Sequence, residues 1–198
     1  MRVIVEKGNR VHLGLLDVSD AEQCAVWIND QEITQYLSAR LPMSVAMERE
    51  WIERSQKGGR DHVFAILLKR GTSQKNLEPK HIGNAGIHNV NYIHRHGVAG
   101  IYIGDKQRWG KGYGTEAMHL LLRFSFLTLG LHRVELAVNA TNTRAICSYV
   151  RCGYKHEGVQ RQHHCLRGEY IDSNTMGILR HEWEKTYQQW QSKVPSAA

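Results

Sequence analysis

The chain has 198 residues, 41% hydrophobic and 23% charged, with three prolines, a balance that suits one folded domain over residues 1–198 and excludes a disordered or repetitive chain. No run of about 18 apolar residues occurs and Met1–Arg10 is polar with scattered charge, so neither a membrane span nor a secretory leader is expected. The net charge is +7; residues 1–100 carry 13 basic and 11 acidic side chains and residues 101–198 carry 13 and 8, which puts the excess in the second half and points to an anionic partner, nucleic acid or a phosphorylated cofactor.

In chain order, Val11–Leu16 reads as a strand. Ser19 or Asp20 offers a cap for a helix carrying Ala21, Cys24, Ala25 and Ile28 at helical spacing. Val45–Lys57 reads as a helix with Ser44 as N-cap, Val45, Met47, Trp51 and Ile52 for its buried face, and Gly58-Gly59 as its end. Val63–Leu68 is a short apolar run, expected as a central strand. Gly71–Lys80 is a polar loop. Ile82–Val90 and Val98–Gly104 pair as a hairpin across Asn91–Gly97. A long helix follows over Gly114–Leu129, with Gly130 placed as its C′ glycine. Arg133–Asn139 alternates as a strand, Thr143–Val150 is a short helix, and Tyr154–Val159 and Tyr170–Leu179 are strands. A polar C-terminal helix holds Trp183 and Tyr187. The pattern is a mixed α/β domain.

The most informative segment is Ile101–Ala117, IYIGDKQRWGKGYGTEA. A strand enters a turn holding Gly110, Gly112 and Gly114, and a helix begins at once. Residues without Cβ let backbone N–H groups converge on one concavity, and a helix N-terminus adds about half a positive charge there. Arg108 and Lys111 supply full charges, so the turn suits a pyrophosphate. It is not a Walker A loop: five residues separate Gly104 from Gly110 where that loop has four, and Gly112 stands where Ser or Thr would bind magnesium. It is not G-x-G-x-x-G either. A glycine-rich turn with no ligand is the bland alternative.

The turn resembles motif A of the GNAT superfamily of acyl-CoA-dependent N-acyltransferases, Q/R-x-x-G-x-G/A. Gly112 and Gly114 match its glycines, with Trp109 where Gln or Arg is usual; Gln107-x-x-Gly110-x-Gly112 is a second register. The spelling is similar to the subgroup that includes the ribosomal-protein N-terminal acetyltransferases and spermidine acetyltransferase. The resemblance continues in Trp27-Ile28-Asn29-Asp30, in Leu131–Val138, in Asn142, Ala145, Tyr149, Gly153 and Tyr154, and in Tyr170, Asp172 and Met176–Leu179 before Trp183. It implies an α/β (α+β) GNAT fold, with a mostly antiparallel central sheet splayed at the acyl-CoA site and flanked by helices.

Acyl transfer to an amine needs a held thioester, a neutral amine and a proton for the departing thiolate. A lysine-type amine, with a pKa near 10.4, is neutral in only about one molecule in 10³ at pH 7. A nearby phenol can protonate the sulfur or stabilise it by a hydrogen bond. By resemblance Tyr149 is that general acid, although a helix tyrosine packed in the core is its plain alternative. The resemblance likewise implies that acetyl-CoA, as co-substrate, meets the main chain of Ile101, Tyr102 and Ile103, the turn Trp109, Gly110, Lys111, Gly112, Tyr113, Gly114 and Thr115, and the side chain of Asn142, which can also cap its helix. The nucleotide end falls to Arg108, Lys111 or Arg144. No carboxylate occupies Val98–Gly100, where many relatives place a base, which leaves His88, His94, His96 or a water chain.

The four cysteines lack C-x-x-C spacing and read as reduced thiols in a cytoplasmic protein. Cys147, Cys152, His156, His163, His164 and Cys165 form a local cluster without knuckle spacing, so no metal is expected. A non-catalytic nucleic-acid binder is the different-class alternative, but the basic residues form no run and no binding motif appears. The expected acceptor is a protein N-terminal amine, by the resemblance to the subgroup that of a ribosomal protein. A small-molecule amine (amino sugar, antibiotic or polyamine) is the alternative, with the basic excess arguing against spermidine. Neither membrane nor nucleic acid is an expected partner, and a homodimer is compatible with the pattern.

Overall fold

The structure is a computed structural model that describes residues 2–37, 41–57, 59–69, 79–166 and 168–193. Gly58 and residues 71–78 of the expected polar loop lie outside the described residues. Eight strands form one sheet in the order β1-β2-β3-β4-β5-β6-β8-β7. They are β1 (Ile4–Lys7), β2 (Val11–Leu15), β3 (His62–Leu68), β4 (Lys80–Asn91), β5 (His96–Ile103), β6 (Arg133–Asn139), β7 (Lys155–Leu166) and β8 (Glu169–Leu179). Each neighbouring pair is antiparallel except β5 and β6. This is the open, mostly antiparallel α/β arrangement expected from the resemblance.

Among the described residues six helices cover the sheet: α1 (Ala21–Ile28), α2 (Gln31–Thr34), α3 (Val45–Lys57), α4 (Tyr113–Arg123), α5 (Thr143–Cys152) and α6 (Arg180–Lys193). Strand alternation sorts them by face. Ala85, Ile87, Ala99, Ile101, Val134, Leu136 and Val138 join Ala117, Leu120 and Leu121 of α4, Tyr149 of α5 and Trp183 and Tyr187 of α6 in the main core. Ala65 and Leu67 of β3 pack instead with Cys24 of α1 and Ile52 of α3 in a second cluster on the opposite face. That opposite face therefore carries Asn84, Gly86 and His88 of β4, Val98, Gly100 and Tyr102 of β5, and Arg133, Glu135, Ala137 and Asn139 of β6.

Several local expectations change. β1 was not anticipated, because its four residues IVEK show too little alternation; Glu6 is buried there because Arg123 Nε donates to its Oε2 at 2.6 Å. Ser44 does cap α3, its Oγ accepting from Met47 N–H at 3.2 Å, yet Met47 itself is exposed and Glu48 is buried. The long helix stops at Arg123 and continues as a π-helical turn, Phe124–Thr128, before Gly130 at φ +64°. Neither Ser19 nor Asp20 caps α1. Asp17 caps the preceding 3-10 turn, accepting from Ser19 N–H at 2.8 Å, while Asp20 turns inward.

Asp20 anchors a buried polar chain under α1. Its Oδ1 accepts from Arg2 Nη2 at 2.6 Å and faces His81 Nδ1 at 3.2 Å, and its Oδ2 accepts from Asp17 N–H. The other His81 nitrogen meets Asn84 Oδ1 at 2.7 Å, and Asn84 Nδ2 donates to Tyr102 Oη at 2.8 Å. Burial alone would push the Asp20 carboxyl up, but His81, the Asp17 amide and Arg2 outweigh it and hold the pKa down at about 2. His119 on α4, stacked on Trp190 at 4.4 Å between ring centres, is pushed by burial to about 4, with Glu116 opposing.

Both groups make the fold acid-sensitive. Between about pH 6.5 and 4 the unfolded chain binds a proton at His119 that the folded chain does not, so stability falls by about 3 kcal/mol as pH drops through that window. Asp20 adds a further loss of about 2 kcal/mol between about pH 4 and 2. Thermal unfolding at a series of pH values is expected to show both steps, and His119→Leu to flatten the upper one alone.

Candidate active site

The sheet parts at its centre. β5 is paired to β4 from His96 to Ile103, but it meets β6 only at His96–Arg133, Gly97–Val134 and Val98–Glu135. β6 meanwhile runs with β8 along all seven of its residues. Past Val98 the two strands diverge and leave β5 with an open edge. Gly104 N–H donates to Ile82 O on β4, so by strand alternation Tyr102 directs its main chain to β4 while Ile101 and Ile103 direct theirs into the gap. Of the three residues expected at this edge, Tyr102 therefore does not share it, and its hydroxyl is held by Asn84.

The glycine turn closes the open end of this gap. Gly110 and Gly112 have φ of +71° and +79°, the left-handed region that disfavours any residue with a Cβ. Gly112 is the N-cap of α4, and the first amide to bond back is that of Glu116, onto Gly112 O at 3.1 Å. The preceding amides are the ones a helix leaves unpaired at its N-terminus, and they open on the turn. Gly114 lies in the first helical turn with no positive φ, and a Cβ there would meet Ile103 Cγ1 at an ordinary 3.6 Å. The register Trp109-x-x-Gly112-x-Gly114 fits this geometry: the position that must be glycine is strained, and the one that tolerates alanine has room for it.

Trp109 fills the corner below the turn. Its Nε1 donates to Ile103 O at 2.7 Å, and the Arg144 guanidinium lies over its ring at 4.2 Å from the centre. That contact brings the N-terminus of α5 to the glycine turn. Arg108 lies near Asp105, with Nε 3.6 Å from Oδ2, and Lys111 is exposed. Lys106 reaches Asp30 at 2.7 Å and Glu32 at 2.6 Å, which fastens the α1–α2 turn to the same corner. Gly104 has no space for a side chain because the Trp27 indole packs directly on it.

One cation at the turn was invisible in the sequence. Arg10, from the β1–β2 connection, donates from Nη1 to Lys111 O at 2.9 Å, and its guanidinium lies 4.9 Å from the Tyr113 ring centre. It is held by Glu116, which accepts from Arg10 Nε at 2.9 Å and from the amides of Arg10 and Val11. No local pattern links residues more than a hundred positions apart; the only available signal was a glutamate in the first turn of an otherwise apolar helix.

On α5, Asn142 is the N-cap, Oδ1 accepting from Ala145 N–H at 3.2 Å. Thr115 Oγ1 and Ser148 Oγ lie 2.8 Å apart and tie α4 to α5. Tyr149 is buried, edge-on to Tyr154, and burial pushes its phenol up to about 12. Such a phenol keeps its proton at neutral pH and can give it away but not act as a base. Among the other candidates, His94 sits in the exposed β4–β5 turn and His96 at the closed end of the strand pair, whereas His88 lies over Gly100 beside the gap. Cys147 and Cys152 lie on α5, and His156, His163, His164 and Cys165 lie along β7. Among the described residues no group of three possible ligands could hold a metal ion.

The turn geometry separates two substitutions that look alike in sequence. Gly112→Ala is expected to cost about 1–2 kcal/mol, the penalty of a Cβ in the left-handed region, and Gly114→Ala to change stability by under about 1 kcal/mol; thermal unfolding distinguishes them.

Residues 10–155 match the family described as the acetyltransferase (GNAT) domain. The uncharacterized N-acetyltransferase p20 of Bacillus licheniformis is 25% identical over 88% of this chain and 95% of that protein. The spermidine N(1)-acetyltransferase of Vibrio cholerae is 33% identical over 56% of this chain and 61% of that protein. In fold, the crystal structure of a Vibrio cholerae spermidine N-acetyltransferase in complex with CoA and spermine superposes with a TM-score of 0.80 at 24% identity, covering 89% of this chain and 99% of that one. The acceptors named among these relatives are polyamines, so the likeness to ribosomal-protein acetyltransferases is not carried further. With the domain spanning well over half its length, the chain belongs to the GNAT acetyltransferase family.

Proposed function

We propose that this N-acetyltransferase moves the acetyl group of acetyl-CoA to a small primary amine by direct attack. The observation that carries the reading is the open β5 edge past Val98, ending at the left-handed glycine turn. It offers an extended arm two kinds of partner at once. Ile101 and Ile103 present main-chain groups along the edge, with the Ile103 carbonyl already engaged by Trp109. The α4 amides, Arg10, Lys111 and Arg144 then surround the place for a diphosphate. Asn142 keeps its Nδ2 for the arm while its Oδ1 caps α5.

Tyr149 belongs to the core face of the sheet and the acceptor would enter from the other face. In this arrangement the thiolate leaves toward the phenol as the amine arrives from the opposite side. Because the thiol, near 8.5, is more acidic than a phenol held at about 12, full transfer to the free thiolate is uphill; Tyr149 therefore hydrogen-bonds the sulfur as the carbon–sulfur bond breaks and passes its proton in step with its own reprotonation from solvent.

A small amine is favoured over a protein N-terminus by the relatives with a named acceptor, which act on spermidine. On the face open to the acceptor Arg133 pairs with Glu135 and Glu157, and Arg54 and Arg60 line one cavity with Asp61.

Acetyl-CoA consumption measured with spermidine, an amino sugar and Ser- or Ala-terminal peptides tests the acceptor; turnover of the peptides alone would overturn it. Tyr149→Phe is expected to lower kcat by about 10²-fold or more while the acetyl-CoA Kd stays within about twofold. Arg144→Ala is expected to do the reverse, raising that Kd by about threefold to tenfold, less at high salt, with kcat intact.

A further inference from the structure

We infer that His88 is the base that takes the acceptor's proton and that Asp61 positions it, an assignment that rests on the amine-acetylation reading above. Gly86 of β4 and Gly100 of β5 are partners in register, and their missing side chains leave a shallow bed on the acceptor face. The His88 ring lies in that bed: Nε2 is 2.9 Å from where a Cβ on Gly86 would stand and 3.5 Å from where one on Gly100 would stand. Gly100 is the second residue past Val98, the last rung between β5 and β6. Nε2 therefore sits at the mouth of the gap, on the face opposite Tyr149.

A bulge sets this aim. The β4–β5 register shifts between His88 and Asn91, and Asn89 takes φ +52°. Asp61, the residue before β3, fixes the bulge by accepting from Asn89 N–H at 2.9 Å, and the same Oδ1 lies 3.7 Å from His88 Nδ1. A carboxylate on that side favours the proton on Nδ1 and leaves the Nε2 lone pair toward Gly100. Among the described residues the charged groups on the His88 side are Asp61, with Arg54 and Arg60 lining the same cavity, and, beyond Val98, Glu135 with Arg133 bound to it at 3.0 Å. Glu135, committed to Arg133, is the rival base. As the carbon–nitrogen bond forms, one amine proton passes to Nε2; as the carbon–sulfur bond breaks, Tyr149 protonates the sulfur. The products are the amide and CoA thiol, and solvent returns the proton from imidazolium to phenolate.

The test measures kcat/KM against pH with spermidine as acceptor, and thiol release to water where spermidine is not turned over. Wild type is expected to show an acid limb. His88→Gln is expected to lose the limb and about 10²-fold or more of the rate, with acetyl-CoA binding unchanged. Free imidazole is expected to restore part of the turnover of His88→Gly. Asp61→Asn is expected to lower kcat about tenfold with acetyl-CoA binding unchanged, and Asp61→Glu to recover part of it, a pattern that a purely structural carboxylate would not give. Retention of rate and limb in His88→Gln, or loss of the limb only in Glu135→Gln, overturns the assignment and leaves the transferase reading standing. Wild type that binds acetyl-CoA yet releases no thiol to any nucleophile overturns both.

Discussion

The site depends on one failure of pairing. β5 and β6 are parallel neighbours for three rungs and then separate, because each is committed elsewhere: β5 to β4 along its length and β6 to β8 along all of its own. A buried sheet edge carries unpaired donors and acceptors that must find partners. Here the Trp109 indole satisfies one carbonyl, and the Ile101 groups keep their capacity for an extended ligand. Everything else in the site is arranged around this gap. α4 starts at its open end, α5 is tied to α4 through Thr115 and Ser148, and the bulge at His88–Asn91 addresses its mouth from the other face.

Glu116 fixes a charge at the glycine turn: a buried carboxylate, it accepts from Arg10 and two amides, so that the guanidinium stays beside the turn. Removing its partner would leave a buried charge uncompensated, which is far costlier than losing a surface ion pair. On the opposite face Arg133 bridges Glu135 and Glu157, and Arg54 and Arg60 line one cavity with Asp61.

The sequence located most elements because their signals are local. Alternation found β6 to the residue, the Ser44 and Asn142 caps marked α3 and α5, and Gly130 marked the end of the long helix. It missed β1, whose side chains are explained only by partners such as Arg123, and it cut β7 short because an exposed strand far from the core shows little hydrophobic period. Asp20 stands at the N-cap position of α1 without bonding the helix amides, because its side chain serves Arg2, His81 and the Asp17 amide.

What the chain order alone determined was the glycine turn, the helix after it and the tyrosine two elements on, since a strand–turn–helix and a capped helix are written in consecutive residues. Tertiary structure decided the rest. It chose which glycines are strained, turned the Tyr102 main chain away from the gap, brought Arg10 to the turn from the far end of the chain, and laid His88 over Gly100 beside Asp61. Those are relations across strands and between faces, and strand register is a property of pairs of segments that no single segment carries.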